Sequence, residues 1–98
     1  MNKIYFPERE LADIKDRLDS DKDLYSIRVS EEYSKYREGD ILMTEWGERL
    51  SVVSVRKISG GIESLKREYP FFNELDDNML AELSPYSDMD IVLMRKTQ

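Results

Sequence analysis

Leu24-Tyr25-Ser26-Ile27-Arg28-Val29, a polar bridge holding Tyr33 and Tyr36, the turn Gly39-Asp40, and the run Ile41 to Val55 through Trp46-Gly47-Glu48 form the stretch that decides the fold. Leu24 to Val29 alternates with a period of two and predicts a first strand. Tyr25, Ile27 and Val29 fall on one face, the expected core side, while Leu24, Ser26 and Arg28 share the other. That second face sets a hydroxyl and a guanidinium two residues apart, an arrangement that suits a phosphate, a carboxylate or a base edge. The plainer alternative is a surface arginine paired with an acidic neighbour. Ile41 to Trp46 and Leu50 to Ile58 read as a second and third strand joined by a tight hairpin at Gly47-Glu48. In the third strand Ser51, Val53 and Val55 alternate with Leu50, Val52 and Ser54, so both faces are partly apolar, as in a small barrel covered by helices. Trp46 then closes the barrel end or forms part of a binding rim.

Working outward, a helix is expected from Phe6-Pro7, with Leu11, Ile14 and Leu18 as its buried stripe. Asp19-Ser20-Asp21-Lys22-Asp23 superficially suggests a calcium loop, but the positions that need glycine and glutamate hold Leu24 and Ser30, so a solvated turn is the reading. Tyr33 and Tyr36 pack down on the barrel end, or one offers a ring for stacking. Ser59-Gly60-Gly61 breaks the third strand without forming a phosphate loop, since the Lys-Ser/Thr pair of that motif is missing. Helices follow over Ile62 to Tyr69, stopped by Pro70, and over Asp76 to Leu83. After a loop at Ser84 to Asp88, a last strand runs from Asp90 to Arg95, and Lys96 to Gln98 should fray. The order gives one α+β domain over residues 1–98, built on a small mixed or antiparallel β-barrel with flanking helices.

Absent residue types narrow the chemistry. With no cysteine and no histidine there is no disulfide frame, thiolate nucleophile, imidazole base or imidazole metal ligand, so no metal and no cofactor is expected. A formal charge of −6 opposes binding to long polyanions but leaves room for a local basic cleft. No apolar run approaches a membrane span, and Met1 to Pro7 lacks the apolar core of a signal peptide, so a cytoplasmic location without membrane partners is expected.

The leading helix, the strand ending Ser26-Ile27-Arg28, the Gly39-Asp40-Ile41-Leu42 turn into an apolar strand, the hairpin, and a helical insert before a last strand resemble the small ASCH domains of the PUA-like superfamily. What the resemblance implies is a barrel with a cleft used for RNA or modified nucleosides. Some of the smallest members of that family deacetylate cytidine through a lysine, a threonine and a glutamate. In this sequence Arg28 matches the strand-ending arginine and Ser26 stands at the threonine. Lys22 lies one place from the lysine position, which Asp23 occupies, and Asp77 is the nearest match to the glutamate. A one-residue slip reverses the face of a strand side chain, so Lys22 serves only if a bulge separates it from Ser26.

Three functions follow as expectations. The first is a binding module for RNA or a nucleotide, with Arg28 and Lys22 on phosphate or carbonyl, Ser26 on a base or sugar, and Tyr25 or Trp46 stacking. The second is an amidohydrolase acting on an acylated cytidine nucleoside, in which Lys22 activates Ser26, Asp77 shuttles protons and Arg28 stabilises charge. The third is an acidic module that engages a protein partner and has no small-molecule site.

Overall fold

Sequential β pairing around one long strand organises the chain. The computed structural model describes residues 2–69 and 77–97. Strand β1 (Asn2–Lys3), helix α1 (Leu11–Asp19), strands β2 (Leu24–Arg28), β3 (Ile41–Met43) and β4 (Arg49–Ser59), helices α2 (Gly61–Glu68) and α3 (Asp77–Leu83) and strand β5 (Asp88–Lys96) follow in that order. Short 3-10 turns at Glu8–Glu10 and Ser30–Glu32 lead into α1 and follow β2.

The strands form a five-stranded sheet in the order β1-β3-β4-β5-β2. Every pairing is antiparallel except β1 with β3, which makes the sheet mixed. The α+β class therefore matches the sequence reading, and the barrel does not. The sheet is open, with β1 and β2 as its two edges. Its short side holds strands of only two and three residues, too little ladder to wrap round and pair with β2.

Both faces are covered. On one, α1 packs Ile14 and Leu18 against Leu24, Leu42, Leu50, Val52, Val92 and Met94, with Ile4, Phe6 and Tyr36 completing the layer. On the other, Leu65 of α2 and Leu83 of α3 meet Ile58, Met89 and Ile91. The apolar residues on both faces of the third strand thus serve two cores, one per face. A bulge between Val52 and Ser54 links them: it shifts the β4–β5 register so that Val55 joins Leu50 and Val52 on the α1 side.

Several boundaries move. The last strand is longer than expected, and Thr97 N–H still donates to the Arg49 carbonyl at 3.0 Å, so Lys96 and Thr97 do not fray. The second strand ends at Met43, and Thr44 to Glu48 make the turn, held by Thr44 N–H to the Glu48 carbonyl at 2.8 Å and Glu48 N–H to Thr44 Oγ1 at 2.8 Å. Of the expected helical insert, Pro70 to Asp76 lies outside the described residues.

The strand-to-helix corner at Gly60 has φ +103°, and a Cβ there would overlap Ser64 Oγ, which already accepts Arg67 Nη2 at 3.0 Å. Gly60→Ala should cost about 2 kcal/mol, read as a lower urea midpoint with an unchanged slope.

Candidate functional site

Edge strand β2 forms the floor of a cavity of about 710 Å³. Consecutive residues from Leu24 to Val29 line it, although their side chains alternate between faces, so the cavity follows the outer edge of the strand. Ile14 and Arg17 of α1 border one side, and Leu83 with Tyr86 the other. An ion pair between Arg9 and Glu82 bridges these two walls. The volume lies in the range of small-ligand pockets.

The expected partition of β2 is revised: α1 covers Leu24, and Phe6, Glu32 and Tyr36 surround Arg28. Leu24 and Arg28 are its buried residues, whereas Tyr25, assigned to the core face, is 39% exposed. Arg28 is 9% exposed and is held from several directions. Its Nε donates to Ser26 Oγ at 2.9 Å and its Nη1 to the Tyr5 carbonyl at 2.9 Å. The guanidinium carbon lies 5.0 Å from the Phe6 ring centre and 5.6 Å from that of Tyr36, both within cation–π range. Glu32 Oε1 approaches Nη1 at 3.9 Å. The remaining nitrogen, Nη2, is buried and has no hydrogen-bond partner among the described residues.

A carboxylate network stands behind the arginine. Tyr36 Oη donates to Glu32 Oε2 at 2.7 Å, and Lys35 Nζ lies 3.3 Å from the same oxygen. Burial raises the pKa of the Glu32 carboxyl, but the Tyr36 hydroxyl, Lys35 and Arg28 together pull it lower, leaving it below its ordinary value. Burial, and then the bond to Glu32, push the Tyr36 hydroxyl far above its ordinary value. A depressed carboxyl stabilises the fold above its unfolded pKa and loses that contribution as pH falls through its folded one. The stability gap between the parent and Glu32→Gln should therefore be full near about pH 7 and close on acidification, which urea midpoints across the acid range would measure.

The residues picked out in the sequence are only partly brought together. Ser26, Arg28 and Tyr25 line the cavity. Lys22 is exposed in the turn after α1, where its N–H donates to the Arg17 carbonyl at 2.9 Å, and it does not line the cavity. Asp77 is exposed in the first turn of α3, and that helix presents Met79, Glu82 and Leu83 to the cavity instead. The Lys22–Ser26–Asp77 set is therefore not assembled. Ser26 Oγ accepts from a cation, and no lysine lines the cavity among the described residues. Nucleophile and base need hydrogen-bond contact, and this arrangement offers none. Trp46 also lies away from the cavity. It packs 6.1 Å from Phe6 with Lys15 Nζ 5.1 Å above its ring, closing the α1-side core.

Sequence reasoning missed the roles of Phe6, Glu32 and Tyr36 around Arg28. Burial of Tyr36 fits the expected packing role, but its aromatic contact with Arg28 had no local signal, because the two are joined through a loop rather than a periodic element. Among the described residues no group of three or more metal-ligating side chains comes together, and no helix is long and apolar enough to cross a membrane. Compared with protein-family models, with curated proteins and with solved structures, the chain has no match.

Proposed function

We propose that this chain is a non-catalytic binding module that takes RNA or a nucleotide, modified or not, in the cavity beside β2. One observation carries the reading: the cavity is lined by a buried guanidinium whose Nη2 lacks an acceptor among the described residues. A buried donor left unpaired costs about 1–3 kcal/mol, and a ligand oxygen recovers that. A volume ample for a nucleoside, the exposed Tyr25 and the Ser26 hydroxyl fit the same ligand class. With a net charge of −6, the bound unit is a single nucleotide or a short single strand, because a long footprint needs a basic stripe. Membership of the ASCH group belongs to this proposal and rests on element order and Ser26-x-Arg28, without the closed barrel. A cytoplasmic location is part of the same reading.

The test is an amide-resolved NMR titration of the labelled protein with nucleosides, acetylcytidine and a short single-stranded RNA. Shifts should centre on Tyr25 to Val29 with Leu83 and Tyr86, and leave Trp46 unmoved. Loss of the acetyl signal in the same sample would instead support hydrolysis. A flat response to every ligand would sink the nucleotide reading and leave the acidic protein-interaction alternative.

A further inference from the structure

We infer that the polar end of the cavity binds the carbonyl edge of a neutral nucleobase rather than a phosphate group. This rests on the nucleotide reading and specifies which part of the ligand enters first.

The donor geometry comes from two side chains. Ser26 Oγ accepts Arg28 Nε–H at 2.9 Å, which leaves its own hydroxyl hydrogen to be donated elsewhere. In a planar guanidinium one N–H of Nη2 runs parallel to Nε–H, on the side occupied by Ser26. That nitrogen is buried and has no acceptor among the described residues. The serine hydroxyl and Nη2 are therefore adjacent donors able to converge on a single oxygen. Nη2 is shielded from solvent, so the incoming group reaches it by displacing packing at the inner end of the cavity.

Charge points the same way. The cavity is lined by Arg9, Arg17 and Arg28 but also by Glu10, Asp13 and Glu82, so its cations are matched one for one. Arg9 is paired with Glu82, and Glu32 stands 3.9 Å from Arg28. A phosphate entering here would give up its hydration and meet carboxylates as well as cations, and burying an ion costs several kcal/mol unless it is fully paired. A neutral carbonyl gives up far less and supplies an acceptor to Nη2. Ile14, Leu24 and Leu83 provide apolar surface for the ring.

The experiment compares uridine, cytidine, guanosine and adenosine with ribose 5-phosphate and inorganic phosphate, following the Ser26 and Arg28 amides and measuring Kd. Adenosine carries no ring carbonyl and should bind at least about tenfold more weakly than the best of the other three. Adding a 5′-phosphate to that nucleoside should change Kd less than about threefold, and Kd should be nearly independent of salt, whereas a phosphate held by Arg28 would weaken as salt screens the pair. Ser26→Ala, which removes the hydroxyl donor and also the acceptor of Arg28 Nε–H, should weaken binding about tenfold, with circular dichroism checking that the variant stays folded. If ribose 5-phosphate or phosphate moves Arg28 and the nucleosides do not, or if adenosine binds as well as the others, the carbonyl assignment is overturned while nucleotide binding stands. If none of the probes moves either residue, both readings fail.

Discussion

Arg28→Ala is expected to lower stability by about 3–5 kcal/mol and to abolish ligand binding in the β2 cavity. The stability loss has separable sources. Truncation removes the bonds to Ser26 Oγ and the Tyr5 carbonyl and the stacking on Phe6 and Tyr36. It also deprives Glu32 of a counter-charge and leaves a hole beside the α1-side core. Arg28→Lys keeps the charge but not the planar fork, so it should restore part of the stability and little of the binding. Urea unfolding followed by circular dichroism measures the first effect, and nucleoside titration at a temperature where the variants remain folded measures the second. Equal stability of Arg28→Ala and the parent would show that the observed packing around the guanidinium contributes nothing.

The second large effect belongs to a charge pair on the same face. In register across the sheet stand Arg28 of β2, Asp90 of β5 and Lys57 of β4. Asp90 is fully buried and accepts Ser34 N–H at 2.6 Å and Lys57 Nζ at 3.1 Å. Lys57 also donates to Ser34 Oγ at 2.8 Å and lies 4.2 Å from the Tyr33 ring centre. Together these bonds pin the loop that carries Glu32 and Tyr36, and they hold Ser34 at φ 63°, an uncommon conformation for serine. The two partners differ sharply in access to water, at 0% side-chain exposure for Asp90 and 55% for Lys57. Lys57→Met strands a carboxylate that cannot reach solvent and should cost about 3 kcal/mol or more. Asp90→Asn strands an ammonium that can hydrate in place, and should cost about 1–2 kcal/mol. A double-mutant cycle checks the asymmetry and should give a coupling of about 1 kcal/mol or more.

Much of the fold was legible because it rests on periodicity. Leu11, Ile14 and Leu18 identified α1, and Ile14 and Leu18 are indeed its buried residues. Alternation found β2 and most of β4, and Gly47, at φ +89°, marked the hairpin. Strand β1 is two residues long, too short to show any period, and its parallel pairing with β3 is a tertiary fact. The barrel was expected because both faces of the third strand carry apolar residues. Two covered faces produce the same pattern, and a bulge at Val53 changes which residues share a face.

The candidate site was legible in part for the same reason. Ser26 and Arg28 share a side by strand period, and they do meet at the cavity. That the Tyr5–Phe6 segment and the loop carrying Glu32 and Tyr36 close over Arg28, reducing it to 9% exposure, depends on where distant segments dock rather than on any local spacing. Lys22 and Asp77 were placed by resemblance to a family pattern, and each sits on a helix end or turn whose orientation that pattern did not constrain. Asp23, which the resemblance aligns with a lysine, makes a two-pronged pair with Arg95 at 2.8 and 3.1 Å, tying the start of β2 to β5. The Arg95 hydrogen bonds hold the Asp23 carboxyl below its ordinary pKa.

Binding in the β2 cavity requires that Arg28 Nη2 find its missing acceptor in a ligand. The most direct measurement is the side-chain guanidinium NMR spectrum of Arg28, recorded with and without saturating nucleoside at low temperature. Binding at the cavity should slow rotation about the guanidinium and shift the Nη2 protons downfield, with a smaller change at Nε. A nucleoside that binds, by shifts elsewhere in the protein, while leaving every Arg28 side-chain resonance in place would contradict the assignment of this arginine as the anchoring group.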